Sequence, residues 1–467
     1  MSRVCVVGMG VPSFVRSRAH EGPGLRCGHF VTALARAGHE LLVLQVAAGR
    51  RGRTAAPVER AHRVDGHAVV CVDVAQADFE ATWLVDRVAS FAPDVLVGAT
   101  AYAAALATKL DLDIPMWADV FGDPMAEAQA KAAACGNDLA VARFWATLQP
   151  VLERADRFSA VSRAQSDALL GQLGVFGRLG QSTAGERLVS VIPCAAEAEA
   201  RDRRSAPALR GSVVPDDAFV ALWSGSFNTW CDVETAVAGV AAAMARDPSI
   251  HLVATGGSVD GHDEQTYPRF RRLVERTGRA DRFHLLGRVD DDRLPGYYAD
   301  ADVGINIERE LYERRLGSEN RVVHWAAAGL PCVTTGLSEL GRSLSNEGLC
   351  FTCTSGDSSS LADVLVALAA DRVAVGRVGE RCRRFAAEHF SYDATAVPLV
   401  EWAAVPVAAG DRGRERAVAI GMVSEPATMV PMLERYLADL SLGQLVYRST
   451  RWLWRRLLGA QVTHPPR

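Results

Sequence analysis

Short apolar runs alternate with amphipathic stretches along the first 195 residues. Val4–Gly8, Glu40–Val46, Ala68–Val72, Val95–Gly98, Ile114–Ala118, Arg157–Val161 and Leu188–Ile192 have the length and apolar content of buried strands. Helical patterns lie between them, for example Leu25–Ala37 and Phe79–Phe91, and Gly38 sits just past the first of these, where a helix stop belongs. Strands alternating with helices predict a parallel, doubly wound sheet. The pattern breaks from Ala196 to Asp217, a stretch rich in Arg and Asp that carries Pro207 and Pro215 and has no apolar period. It reads as a linker.

A second alternating series follows. Phe219–Trp223, Ile250–Thr255, Phe283–Leu286, Val303–Ile307 and Cys332–Thr335 read as strands. Val233–Ala245, Asp291–Tyr298, Ser318–Ala328, Ser359–Ala370 and Val375–His389 read as helices. The expected fold class is therefore α/β, with two Rossmann-like doubly wound domains facing a cleft. The boundaries are 1–195 for the first domain, 196–217 for the linker, 218–395 for the second domain and 396–467 for a C-terminal connector with helices. Within that last part, Ala403–Glu425 reads as a loose connector, and Met429–Leu440 and Gln444–Leu458 read as helices.

The length of 467 residues suits two such domains. A hydrophobic fraction of 49% and a charged fraction of 23% suit a globular protein. The net charge of -4 provides no positive field to draw nucleic acid, so no nucleic-acid partner is expected. No apolar run reaches the roughly 18 residues that crossing a bilayer requires. Met1–Gly8 reads as a strand rather than a secretory signal, and a cytoplasmic protein is expected. The ten cysteines are scattered. The one C-x-x-C, Cys350 to Cys353, falls in a strand pattern that turns its ends to opposite faces, and neither a second pair nor a nearby histidine completes a zinc set. No metal and no resident cofactor are expected.

Ligands of open parallel sheets bind where strands run into helices. Gly8-Met9-Gly10 lacks the third glycine and the acidic partner of a dinucleotide fingerprint. Gly22-Pro23-Gly24-Leu25-Arg26 opens the first helix. It reads either as an acceptor loop, with Gly24 and Arg26 as its binding residues, or as a flexible turn. Trp117 to Glu127 carries three carboxylates. Asp123, before Pro124, has the place of an N-cap. Asp119 ends a strand without such a local use and is expected to face the cleft.

In the second domain, Gly225, Ser226, Phe227 and Trp230 lie on the first strand-to-helix loop. The first two can offer backbone N–H groups to phosphate oxygens, Trp230 can stack on a base or sugar, and Asp232 caps the helix. The segment Val303–Pro331 is a strand, a charged loop and a helix opened by Gly317-Ser318. Ser318, Asn320 and Arg321 at that helix start form a natural anion site. Arg321 opposes the helix dipole there, so its partner is either a bound diphosphate or Glu319.

These segments together resemble the family 4 glycosyltransferases over roughly residues 1–400. The stretch from Tyr298-Ala299-Asp300-Ala301-Asp302 to Gly329-Leu330-Pro331, with Ser355-Gly356-Asp357, carries most of the resemblance. Ala37-Gly38-His39-Glu40, Ala155-Asp156-Arg157-Phe158-Ser159-Ala160-Val161-Ser162 and Val191-Ile192-Pro193-Cys194 add to it. The resemblance implies the two-Rossmann GT-B fold and transfer of a sugar, with retained configuration and without a metal. The donor would be a nucleoside-diphosphate sugar held mainly by the second domain, and the acceptor a glycan, lipid or small molecule. Two glutamates eight apart are usual before the glycine-leucine-proline. The second falls on His324, and Glu313 is the nearest residue for the role of the first. The basic residue of the first donor loop is replaced around Cys231, and the histidine of the first domain's cleft aligns with Asp119. Asp119 and Glu313 are thus the catalytic candidates. These departures leave open a catalytically silent protein that binds a nucleotide or a partner.

At the C-terminus, Leu445–Leu458 combines four arginines with two tryptophans and several leucines. A helix of this composition either lies on an anionic membrane surface or packs back on the domains.

Overall fold

The computed structural model describes residues 1–15, 20–46, 58–197, 208–259 and 261–413. The readings of Met429–Leu440 and Gln444–Leu458 as helices, and of the tail as a membrane contact, lie outside the described residues. No helix among the described residues is long and apolar enough to cross a membrane.

The first sheet is formed by β1 (Arg3–Met9), β2 (Glu40–Val46), β3 (Val58–Val64), β4 (His67–Val74), β5 (Val95–Gly98), β6 (Met116–Val120), β7 (Arg157–Ala160) and β8 (Val189–Val191). Its order is β3-β4-β2-β1-β5-β6-β7-β8. All pairings are parallel except β3 with β4. The second sheet contains β9 (Phe219–Ser224), β10 (Ile250–Thr255), β11 (Phe283–Gly287), β12 (Val303–Asn306), β13 (Cys332–Thr334) and β14 (Phe351–Thr352), in the order β11-β10-β9-β12-β13-β14. Its strands are all parallel. Helices cover these sheets, as parallel strands buried on both faces require.

The strand β3 escapes the apolar pattern because its side chains are mostly exposed. Its pairing is nonetheless encoded. Asp65 and Gly66 both adopt positive φ, 46° and 86°, which is the two-residue turn that an Asp-Gly hairpin favours.

One buried charge pair fixes the first domain's edge of the cleft. Arg26, in the first helix (Gly22–Arg36), donates from Nε to Asp119 Oδ2 at 3.0 Å and from Nη2 to Oδ1 at 2.7 Å. Its remaining donors reach the carbonyls of Pro193 and Ile192, each at 2.8 Å. Ser159 donates to Asp119 Oδ1 at 2.6 Å and accepts from the Trp117 indole. Arg26 is 2% exposed and Asp119 0%. The expectation that Asp119 faces the cleft and that Arg26 binds an acceptor is thereby corrected, since every hydrogen-bonding group of the guanidinium is turned inward to the protein. Gly24 is corrected too. A Cβ there would lie 2.2 Å from the Val11 carbonyl oxygen, so the glycine permits close packing of the helix start on the β1 loop.

The chain returns to the first domain at its end. The helices Tyr392–Thr395 and Val397–Ala404 dock there, with Leu399 and Ala403 joining Val4, Val6 and Leu34 in one apolar cluster. Ser2 Oγ donates to the Ala403 carbonyl at 2.7 Å, and the Ala409 amide donates to Asp156 at 2.8 Å. Arg178 grips Asp411 with two hydrogen bonds in the interior. The segment from Ala403 to Gly413 is therefore well anchored rather than loose. Its short, Pro-interrupted apolar sequence gave no periodic signal, and an ion pair and hydrogen bonds hold it together with the burial of Ala403 and Ala409.

Removing one member of a buried charge pair leaves the other unpaired and typically costs about 3–5 kcal/mol. Asp119→Ala is expected to lower the unfolding free energy obtained from urea denaturation by that amount, and a value equal to the wild type would refute the anchoring role.

Candidate active site

The carboxyl ends of the two sheets face one cavity of about 1820 Å³. On the second domain's side, two loops and a helix start meet. The β9 loop carries Gly225, Ser226, Asn228 and Trp230, the β12 loop carries Glu308, Glu313 and Arg314, and the helix Asn320–Ala328 begins beneath them. Gly225 adopts φ 101° and the Gly256 backbone packs against it, so a Cβ on Gly256 would stand 2.2 Å from the Gly225 carbonyl oxygen. This close approach shapes the β9 loop into a lip over the helix start.

Arg321 sits under that lip. Its Nη2 donates to the Ser226 carbonyl at 2.7 Å, and its guanidinium lies 5.2 Å from the Trp223 ring centre. Nη1 is buried and has no protein partner. Glu319, the alternative partner considered from sequence, instead accepts from Ser338 Oγ at 2.8 Å. Gly317, Ser318 and Asn320 line the cavity beside Arg321. Phe227 does not. It is fully buried and stacks on Trp223 at 4.8 Å, so its expected donor contact is corrected to a core role beneath the loop. Trp230 lines the cavity with the Arg314 guanidinium 4.8 Å from its ring centre. Asp232 caps the next helix by accepting from Thr235 N at 3.2 Å, and Asp123 does the same for Ala126 N at 2.8 Å.

Glu313 belongs to a buried cluster of three carboxylates around Arg314. Arg314 donates to both oxygens of Glu313 and to Glu308 Oε1, the latter at 2.9 Å. Burial raises the Glu313 carboxyl above its ordinary range, against the pull of Arg314. Glu319 is raised well above that range by burial and by the charge of Glu308. Glu308 Oε2 and Glu319 Oε1 find no donor among protein groups, and the two side chains interact. The raised carboxyl of Glu319 favours its protonated form, which offers a donor to the neighbouring Glu308 oxygen.

His324 lines the same wall. Burial lowers it to about 4, so it is neutral at physiological pH, and its Nε2 is buried without a partner. Asn228 Oδ1 is likewise unpartnered. Buried polar atoms are seldom left unpaired in proteins. Here Asn228, Arg321 and His324 supply an acceptor, a charged donor and an imidazole nitrogen along one cavity wall.

The first domain contributes Gly22, Thr100, Tyr102, Phe121, Glu127 and Arg143 among its lining residues. Thr100 takes φ 101°, a strained backbone for a β-branched residue, at the mouth of β5. His20 pairs with Asp291 across the cleft, and that contact raises the imidazole above its usual range. Sequence reasoning missed Glu308, Arg314, Glu127 and the His20–Asp291 pair as cavity groups. For the first two the signal was present, as charges directly after the buried strand β12. The others became neighbours only through domain docking.

Two family descriptions match the chain, "Glycosyl transferase 4-like domain" over residues 21–179 and "Glycosyl transferases group 1" over residues 218–371. No curated protein sequence matches. Among solved structures, the fold is similar to a sucrose-phosphate synthase from Thermosynechococcus elongatus, with TM-score 0.65 and 18% identity over 86% of this chain and 98% of that one. It is also similar to Anabaena HepE, solved in complex with UDP and glucose, with TM-score 0.56 and 15% identity over 87% of this chain and 100% of that one. A third is the E. coli trehalose-6-phosphate structure bound with UDP-2-fluoro glucose, with TM-score 0.60 and 11% identity over 87% of this chain and 100% of that one. The chain is thus a glycosyltransferase of the two-domain GT-B fold, with a 4-like first domain and a group 1 second domain.

Proposed function

We propose that this enzyme binds a nucleoside-diphosphate sugar against its second domain and transfers the sugar, with retention and without a divalent metal, to a hydroxyl acceptor held by the first. The observation that carries the reading is Arg321. One terminal guanidinium nitrogen, Nη2, is pinned to the Ser226 carbonyl, the other terminal nitrogen, Nη1, is buried and free of protein partners, and the residue sits at the first turn of a helix. A diphosphate there meets the positive end of the helix dipole and a charge-assisted donor together. This is how the negative charge on the leaving group is offset by protein groups alone. Asn228 and His324 are placed to hydrogen-bond the same ligand, and Trp230 with Glu313 walls the sugar end. The UDP and UDP-sugar complexes of the structural relatives support the donor class, and UDP is the natural first probe.

Arg321→Ala removes the charge-assisted contact, which is worth about 1.5–3 kcal/mol. UDP affinity measured by calorimetry is expected to fall roughly 10- to 100-fold, with a far smaller change in melting temperature than Asp119→Ala causes. Equal affinity in variant and wild type would contradict the diphosphate assignment.

UDP release from UDP-glucose is expected to proceed at the same rate in excess chelator as with added magnesium or manganese. Loss in chelator with recovery on metal addition would overturn the metal-free reading. Proton NMR of the freshly released sugar is expected to show the donor's anomer first, and initial appearance of the opposite anomer would rule out retention.

A further inference from the structure

Donor binding needs both walls of the cavity in place, and one cross-domain contact beside the donor wall depends on a proton. We propose that His20 and Asp291 form a proton-operated latch that ties the entry of the first helix to the second domain, so that the nucleoside diphosphate is held most tightly when the imidazole carries both its protons. This deepens the donor-site reading and rests on it.

His20 lines the cavity from the first domain, just before the first helix begins at Gly22. Both of its ring nitrogens face acceptors. Nδ1 donates to Asp291 Oδ2, and Nε2 donates to the Val15 carbonyl at 3.0 Å. The His20 backbone amide donates to the same Asp291 oxygen. A neutral imidazole has one N–H and leaves a lone pair on its other nitrogen. Whichever nitrogen gave up its proton would set that lone pair against a carboxylate or carbonyl oxygen. The arrangement therefore fits the imidazolium, with one N–H for each acceptor and a carboxylate of the opposite domain for its charge. The two side chains are 11% and 24% exposed, so water screens the pair only in part.

The latch stands next to the donor wall. A Cβ on Gly22, two residues beyond His20, would lie 3.4 Å from Asn320 Nδ2, so the helix entry rests on that wall. The charged and titratable groups around His20 come from both domains. Asp291 and Asp292 lead into the helix Leu294–Asp300 and line the cavity, and His324 on the helix Asn320–Ala328 feels the charges of both Asp291 and His20. On His20's own segment, Glu21 meets Arg288 of the second domain at 3.5 Å. His324 is held at about 4 by burial, so it stays neutral where His20 titrates. The hydrogen bond to Asp291 raises His20 above its ordinary value of 6.5, with burial opposing and the Val15 and Pro12 carbonyls adding to the rise. The latch is therefore complete below 6.5 and is lost as the pH climbs through the raised value. A ligand that touches both walls binds the closed arrangement, and its apparent affinity falls with the fraction of chains in that state.

The test measures UDP affinity of the full chain by calorimetry from pH 5.5 to 9, for wild type, His20→Gln and Asp291→Asn. The terminal phosphate of UDP titrates at about pH 6, but equally for all three proteins, so the ratio of variant to wild-type Kd is read at each pH. His20→Gln is expected to bind about two- to fivefold more weakly at pH 5.5 and to match wild type at pH 9. Asp291→Asn removes a negative charge beside an anionic ligand, so charge attraction alone would tighten its binding. The latch predicts the opposite, a weakening of about two- to fivefold at pH 5.5. In NMR titrations without nucleotide, with the His20 signal identified by its loss in His20→Gln, the imidazole is expected to titrate above 6.5 in wild type and lower in Asp291→Asn. UDP binding by Asp291→Asn as tight as wild type at pH 5.5, a His20→Gln ratio that does not change with pH, or a wild-type His20 midpoint at or below 6.5 would each overturn the latch. A wild-type chain that shows the raised His20 midpoint but binds no UDP would instead overturn the donor-site reading on which the proposal rests.

Discussion

The Arg26–Asp119 pair is the constraint on which the cleft depends. A charge in an apolar interior is tolerated only when its partner and hydrogen bonds are complete. Arg26 meets that condition with a bidentate carboxylate and two backbone carbonyls, and Asp119 with the guanidinium and Ser159. The carbonyls belong to Ile192 and Pro193, where the chain leaves the first domain. One guanidinium thus locks the first helix, the end of β6 and the exit strand into a single geometry. Phe30 and Phe121 pack over its faces, with their ring centres 4.5 and 5.2 Å from the guanidinium carbon. The helix that carries Glu127 starts immediately beyond β6, so its position follows from the same lock.

The second domain solves the opposite problem, which is to keep charge near the surface of a cavity without neutralising it. Three glutamates around a single arginine would repel one another if all were ionised. Burial raises the Glu319 carboxyl well above its ordinary range and so favours its neutral form beside Arg314, and Trp230 covers the guanidinium face. Repulsion within the cluster is thereby reduced, which suits a wall that must not reorganise when a charged donor arrives. Arg321 stands a few residues further on, outside this cluster, with one nitrogen still uncommitted. Charge that supports the wall and charge offered to a ligand are carried by different arginines.

Most of the fold was legible because its strands are apolar runs. The bounds Glu40–Val46, Val95–Gly98 and Ile250–Thr255 agree between sequence and structure. What escaped was held by polar means. β3 is exposed and declared itself only through the Asp65-Gly66 turn, and the returning segment is fastened by Arg178 and Asp156. In the site, the loops after β9 and β12 were found because a helix start with an arginine is a local pattern. Asp119 was misjudged because a carboxylate at a strand end looks the same in sequence whether it faces a cleft or an arginine 93 residues away. Only the tertiary partner separates the two cases. Glu127 was visible as one of three nearby carboxylates, but its neighbours His262, Glu313 and Arg314 come from the other domain.

The contacts joining the two domains are of two kinds. Across the cleft they are hydrogen bonds and partly exposed pairs: His20 with Asp291, Glu21 with Arg288, Lys131 with the His262 carbonyl, and Ser162 with the Leu316 carbonyl. Glu339 adds a cap from the second domain to the amides of Arg163 and Ala164. Pairs of this kind are each worth about 0–1 kcal/mol. At the other side, the two crossing segments run together. The Ala196 amide bonds to the Phe390 carbonyl at 2.9 Å, and His29 stacks on Tyr392 at 4.8 Å while Thr395 bonds to its ring. Burial and the neighbouring Arg26 keep His29 neutral, so this contact stays apolar in character. The cleft side thus rests mainly on separate polar contacts, with Phe121 packed against the second domain's apolar cluster, whereas the crossing is held by packed rings beside a buried guanidinium.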